Sequence, residues 1–251
     1  MIPKIIHYCW FGHNPLPESA QKCIASWRKF LPDYKIKEWN EDNFDVNIIP
    51  YTQQAYEAKK YAFVSDYARF WVLYHYGGVY FDTDVEVIKP LDDIIDKGPF
   101  MGIEATASLT KKSTAAEVAP GLGMAAITNQ KFLNILLERY HNTEFSLPDG
   151  SLNQITIVKY TTELLKENGF NGKNEIQHVV EFTIYPSDFF CPMDSTTGII
   201  TKTSNTRTIH HYDCSWIDHN SFSYKIHLFK NLFYRTLGAK VARKIHHLFH
   251  S

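Results

Sequence analysis

The apolar run IPKIIHYCW at residues 2–10, with Lys4 as its one charge, is the stretch that most narrows what this chain can fold into. In a chain of mixed periodicity such a run predicts a buried central strand. FGHNPLP breaks it, and from Glu18 the apolar positions Ala20, Cys23, Ile24, Trp27 and Leu31 fall at helical spacing until Pro32. YKIKEW then reads as a second strand, so the chain opens strand, helix, strand. Residues 52–76 read as one helix, striped by Phe63, Tyr67, Phe70, Trp71 and Tyr74, with Gly77 as its C-cap. GGVYFDTDVEV, residues 77–87, follows as a strand entered through two glycines. PFMGIEA and GMAAI read as strands around a loop of small and polar residues, helices are expected at 129–141 and 152–167, and residues 176–211 break into short β-like pieces. Strands alternating with helices, with a mixed patch late in the chain, imply a three-layer α/β fold whose ligands gather at the carboxyl ends of the strands.

Charge excludes some partners. The net charge of -1 over 251 residues lacks the basic excess that holds a protein on nucleic acid, so no nucleic-acid partner is expected. Cys9, Cys23, Cys191 and Cys214 form no CxxC pair and are too few for a disulfide scaffold, which suits reduced thiols in the cytoplasm. The N-terminus has no charged segment leading into a long apolar one, and no stretch reaches the ~18 apolar residues of a membrane span. The expectation is a chain neither exported by that route nor spanning a membrane. From Ser223 to Ser251 there are six basic residues and no acidic one, against 20 basic and 27 acidic in the rest. Residues 1–222 therefore read as one folded domain and 223–251 as a basic amphipathic helical tail, with Phe229, Phe233, Leu237, Val241, Ile245 and Phe249 recurring every four residues. Such a tail suits an anionic membrane surface, or docks on the acidic body of its own chain.

The chemistry concentrates in two places. Period-two alternation puts Tyr80, Asp82, Asp84 and Glu86 on one strand face, with the two aspartates roughly 7 Å apart, and a divalent cation would relieve their repulsion. On the preceding helix Asp66 and Arg69 are three residues apart. They form either an ordinary intrahelical ion pair or a subsite in which Arg69 meets an anionic or hydroxyl-rich ligand and Asp66 accepts its hydroxyl hydrogen bonds.

FVSDYARFWVLYHYGGVYFDTDVEV at 63–87 resembles the signature segment of glycosyltransferase family 32, the DXD sugar-binding-region family. IPKIIHYCWFG at 2–12 is similar to the family's opening strand, and IHHYDCSW at 209–216 to its closing His and Ser-Trp element. The resemblance implies a GT-A fold, a Rossmann-like three-layer α/β/α arrangement with a mixed central sheet, in which Mn²⁺ or Mg²⁺ bridges the diphosphate of a nucleotide sugar. It implies Asp84 as direct metal ligand, with Asp82 at the metal or the ribose, and Asp66 and Arg69 at the donor sugar's hydroxyls. His210 matches a metal-ligating histidine, with His211 as its alternate, and Trp216 a tryptophan that closes over the donor. Tyr8 and Trp10 stand where a uracil would stack, and core packing is an equal reading for each. The family also implies retention at the anomeric carbon. No carboxylate is identified as a nucleophile, although Glu86 and Glu104 are available by type.

Two departures stand out. Acceptor contacts are expected in ASLTKKSTAAEVAPGLGMAAI, and NQITIVKYTTELL lacks the Gly-Pro of the corresponding helix in many relatives. The function expected is metal-dependent transfer of a hexose, galactose or an N-acetylhexosamine, from a UDP-sugar to a saccharide acceptor in surface or capsular polysaccharide synthesis. If the tail is a membrane foot, the acceptor sits on a lipid carrier and the enzyme works at the inner face of the cytoplasmic membrane. The alternatives are a metal-dependent phosphoesterase using Asp82, Asp84 and His210, and a non-catalytic glycan-binding protein of the same fold.

Overall fold

The computed structural model describes residues 1–104, 115–195 and 197–213. Trp216, Cys214 and the tail 223–251 lie outside the described residues, as do residues 107–114 of the segment expected to meet the acceptor. The chain opens with β1 (Ile5–Cys9), α1 (Glu18–Phe30), β2 (Lys35–Trp39), α2 (Pro50–Glu57), α3 (Tyr61–Tyr76), β3 (Gly78–Tyr80) and β4 (Val85–Val87). It continues with α4 (Asp92–Ile95), β5 (Phe100–Glu104), β6 (Glu117–Ala119), a 3-10 turn (Pro120–Leu122), β7 (Met124–Ala126), α5 (Lys131–His141) and α6 (Ile157–Glu167). β8 (Gln177–Val179), β9 (Phe182–Tyr185), α7 (Ser187–Phe190) and β10 (Thr208–His210) follow. Among the described residues, no helix is long and apolar enough to cross a membrane.

The central sheet is mixed, ordered β2-β1-β3-β7-β5-β9-β8, with β6 beside β5. β2, β1, β3, β5 and β9 run one way, while β7, β6 and β8 run against them. The apolar opening run is thus an inner strand, as its pattern requires: β1 is hydrogen-bonded to β2 on one side and β3 on the other. Ile24 and Trp27 of α1 pack into one core cluster, whereas Val64, Tyr67, Phe70 and Leu73 of α3 pack into a second. The sheet therefore carries helices on both faces, the expected three layers. From β1 the chain passes through α1 to β2 on one side, then through α2 and α3 to β3 on the other. That reversal makes a switch point at the carboxyl ends of β1 and β3, the place where open α/β sheets bind ligands.

Two expectations need correction. Residues 52–76 form two helices, because Pro50 starts α2 and Lys59, in the left-handed region at φ 57°, ends it before α3 begins. The stretch 77–87 is likewise two strands: β3 belongs to the central sheet, but β4 pairs antiparallel with β10 in a separate two-stranded ribbon. In addition, β6 lies inside the segment read as a loop, and α6 starts at Ile157, five residues later than the pattern suggested, where Thr156 caps it by accepting from the Lys159 N–H.

The paired glycines seat β3 against β1. Gly77 (φ 61°) caps α3, its N–H bonded to the Leu73 carbonyl. Gly78 (φ 103°) has no room for a side chain, since a Cβ there would stand 2.5 Å from the Ile5 carbonyl oxygen and 3.1 Å from His7 Nε2. His7 is fully buried, and its tautomer follows from its partners: Nδ1 accepts from Trp39 Nε1–H at 3.0 Å, so Nε2–H donates to the Gly77 carbonyl at 2.8 Å. Burial therefore holds the ring neutral, lowering its pKa to about 4, with the Gly77 hydrogen bond opposing. The unfolded ring titrates near 6.5, so its contribution is complete above that pH and is lost as pH falls toward 4. We predict a loss of stability of roughly 3 kcal/mol over that window from this residue alone. Urea denaturation at pH 7 and pH 4 checks it: His7→Gln should be less stable at pH 7 and show a correspondingly smaller drop.

Candidate active site

Asp82 and Asp84 lie in the link between β3 and β4, where the strand alternation fails. The Val85 N–H bonds back to the Asp82 carbonyl at 3.1 Å, closing a tight turn. α1 holds the far side of that turn, with Trp27 Nε1 donating to the Val85 carbonyl at 2.7 Å and Ser26 Oγ accepting from the Val87 N–H at 2.9 Å. A continuous strand would have kept the two carboxylates about 7 Å apart. Instead, one oxygen from each converges with a ring nitrogen of His210, all three within 4.8 Å of one another.

His210 arrives on β10, which pairs with β4 so that His210 is opposite Val85 and Ile209 opposite Glu86. His210 Nε2 lies 3.1 Å from Asp84 Oδ1, and the Asp213 N–H donates to Asp84 Oδ2 at 3.0 Å. Burial would raise the Asp84 pKa, but the charge and hydrogen bond of His210 and the Asp213 N–H outweigh it and the carboxyl titrates below its usual range. Burial would likewise strip His210 of its proton, yet Asp84 beside it, with Asp82 and Glu104 further off, holds its pKa up at about 9. His211 points elsewhere and pairs with Glu86 at 3.0 Å. Of the two candidate histidines, His210 is therefore the one at the aspartates.

Arg69 controls the other aspartate. Its Nη1 reaches Asp82 at 3.3 Å, its Nη2 reaches Asp66 at 3.0 Å, its Nε donates to the Ser65 carbonyl at 3.2 Å, and the guanidinium lies 4.9 Å from the centre of the Tyr80 ring. Tyr80 Oη also donates to Asp82 Oδ1 at 3.2 Å. The intrahelical ion pair between Asp66 and Arg69 is thus present, and both residues are buried, at 8% and 5% exposure. Burial pushes the Asp66 carboxyl up to about 6, against the pull of Arg69 and of the Ile157 N–H at the start of α6.

At the end of β1, Tyr8 is 6% exposed, packs edge-on against Trp27 and donates to Glu38 Oε2 at 2.5 Å, which is the core reading of that residue. Trp10 is half-buried, with Nε1 donating to the Asn14 carbonyl at 2.6 Å.

Sequence reasoning missed Gly121. A Cβ there would stand 1.8 Å from Asp82 Oδ2 and 2.9 Å from Arg69 Nη1, and its carbonyl accepts the Asp82 N–H at 3.0 Å. Its φ is ordinary, so the requirement is for space alone. The only trace in the sequence is the PGLG of the middle segment.

The donors present fit a divalent cation. Carboxylate oxygens suit Mg²⁺ or Mn²⁺, the span of the three atoms is one that ligand bonds of about 2.0–2.3 Å can bridge, and His210 Nδ1 is buried without a partner among the described residues.

A sheet whose switch point lies beside a DXD pair and a histidine is an arrangement able to hold a divalent ion and a ligand at its strand ends. Residues 17–101, about a third of the chain, match the family described as "Glycosyltransferase sugar-binding region containing DXD motif", a stretch that includes Asp66, Arg69, Asp82 and Asp84. Inositol phosphoceramide mannosyltransferase 1 of Schizosaccharomyces pombe is 32% identical over 111 residues, covering 40% of this chain and 33% of that protein. A glycosyltransferase of Acanthamoeba polyphaga mimivirus is 34% identical over 106 residues, covering 40% of this chain and 42% of its own. The chain thus spans less than half the length of either relative. Among solved structures, a PaToxG glycosyltransferase is similar with a TM-score of 0.46 and 20% identity, covering 66% of this chain and 69% of that one.

We predict that Gly121→Ala displaces the Asp82 carboxylate, costing roughly 1–3 kcal/mol of stability and weakening Mn²⁺ binding about tenfold. Denaturant melts and Mn²⁺ titration followed by electron paramagnetic resonance check both; an unchanged Mn²⁺ affinity refutes the role.

Proposed function

We propose that this protein is a metal-dependent glycosyltransferase that moves a hexose from a nucleoside-diphosphate sugar to a hydroxyl-bearing acceptor. The observation that carries the reading is the convergence of Asp82 and Asp84 with His210, which is contributed by a ribbon far downstream in sequence. The family match over 17–101, to a sugar-binding region with a DXD motif, supports a sugar donor. A divalent ion held by Asp82, Asp84 and His210 would supply positive charge against the charge that develops on a departing diphosphate. The protein's part is to hold those ligands still. Arg69 and Tyr80 fix Asp82 while the Asp213 N–H fixes Asp84, so little reorganisation is needed when the donor binds.

The relatives' names bring mannose into consideration beside galactose and N-acetylhexosamine, the UDP-linked hexoses favoured from sequence. The fungal names also point to inositol phosphoceramide, a lipid acceptor, which agrees with an acceptor on a lipid carrier and with 223–251 as a foot on an anionic membrane surface. Retention at the anomeric carbon and a role in surface polysaccharide synthesis belong to this reading too. A phosphoesterase would use the same three ligands, and it is told apart by its products, phosphate rather than a new glycoside.

A thermal-shift screen of UDP-hexoses and GDP-mannose, with and without Mn²⁺, tests the proposal. One nucleotide class at about 100 times its Kd should add roughly 2.7 kcal/mol, several degrees in Tm, only with metal present. Asp84→Ala and His210→Ala should abolish that shift. If no nucleotide gives a metal-linked shift, the proposal is wrong.

A further inference from the structure

We propose that Glu104 is a catalytic carboxylate that faces the sugar carbon as the nucleoside diphosphate departs, and that Tyr212 is the positioning residue that aims it. This rests on the glycosyltransferase reading and names the group that the sequence left open.

Glu104 is the last residue of β5, which runs in the direction of β1 and β3, so its side chain stands at the sheet edge that carries Asp82 and Asp84. Alternation along β5 puts Met101 and Ile103 in the core cluster of α3 and Phe100 in that of α1. Glu104 therefore projects on the α1 face, opposite the face from which Arg69 holds Asp82.

Tyr212 connects it to the three converging ligands. Its hydroxyl donates to Glu104 Oε1 at 3.2 Å, and its ring stands edge-on to His210 with centroids 4.3 Å apart. Cys191 Sγ lies 3.0 Å from the same hydroxyl, packing it from the far side. Tyr212 adopts φ 53°, a backbone conformation that a bulky residue takes only when its surroundings impose it. Such strain is commonly stored where a side chain has to be held at a functional position.

The carboxylates of the site differ in their partners. Asp66 and Asp82 are paired with Arg69, Asp84 with His210, and Glu86 with His211. Glu104 hydrogen-bonds to a neutral hydroxyl and is in no ion pair among the described residues; the charge of His210 acts on it only from further off. Its charge remains available for a positive centre that forms during the reaction. When the bond from the sugar's C1 to the phosphate oxygen breaks, its electron pair leaves on the diphosphate and C1 becomes cationic. The acceptor hydroxyl oxygen forms the new bond to C1, and its proton passes to the departing phosphate oxygen. Glu104 gains and loses no proton in this step and acts by charge alone.

The test uses the full chain. Nucleoside diphosphate release is measured across UDP-hexoses and GDP-mannose, and Mn²⁺ and UDP binding are measured by calorimetry. Glu104→Gln should lower kcat by about 100-fold or more while the donor KM and the Mn²⁺ and UDP affinities stay within a few-fold of wild type. Tyr212→Phe keeps the ring against His210 and should lower kcat roughly tenfold with the same split. Should Glu104→Gln fail to fold, Tyr212→Phe carries the test. A Glu104→Gln enzyme with wild-type kcat overturns the assignment, as does one that loses Mn²⁺ binding in step with kcat. A wild-type protein that turns over no donor, with or without Mn²⁺, overturns the glycosyltransferase reading and this assignment with it.

Discussion

The site depends on one buried cation. Arg69 carries its charge at 5% exposure, with Asp66 and Asp82 on two nitrogens, the Ser65 carbonyl on the third and the Tyr80 ring beneath. Removing one member of such a set leaves a charge buried without compensation, which typically costs 3–5 kcal/mol. Arg69 sits on the helix that leads into β3 and grips the aspartate that follows β3, so the same contact locks helix to sheet and orients the carboxylate that converges with Asp84 and His210. Gly121 belongs to this arrangement, because only a residue without a Cβ lets the 3-10 turn press against the pair.

The second constraint is the change of sheet between β3 and β4. A straight strand would hold Asp82 and Asp84 apart; a turn stabilised by Trp27 and Ser26 brings them together and delivers β4 to β10. Pairing in that ribbon brings His210 to Asp84, while His211 accompanies Glu86. The glycines before β3 serve this end indirectly, since Gly78 allows β3 to lie against β1 and the buried His7. Helix, strand, turn and ribbon thus share one task, the convergence of three side chains from two distant segments.

Much of the architecture was legible in sequence because it rests on periodicity. The apolar opening strand, the amphipathic α1, the aromatic stripe of α3 and its glycine cap each follow from spacing that burial enforces locally. What was hidden depends on partners remote in sequence. The break between α2 and α3 is carried by Lys59 in a left-handed conformation, for which lysine gives no signal. The strand β6 is three residues long and exists because β5 offers an edge to pair with. Tyr8, read equally as a stacking platform or as core, is buried with Trp27 packed edge-on against it.

The sequence alone determined the layer type, the order of the first strands and helix and the residues capable of the chemistry, because apolar spacing and side-chain type are local properties. Tertiary structure decided which of those residues meet. It selected His210 over His211 through strand register, saturated Arg69 with two carboxylates and a carbonyl, and placed Glu104 against Tyr212 beside the aspartates. Distances between residues remote along the chain are set by how layers pack, and a one-dimensional pattern carries no measure of them.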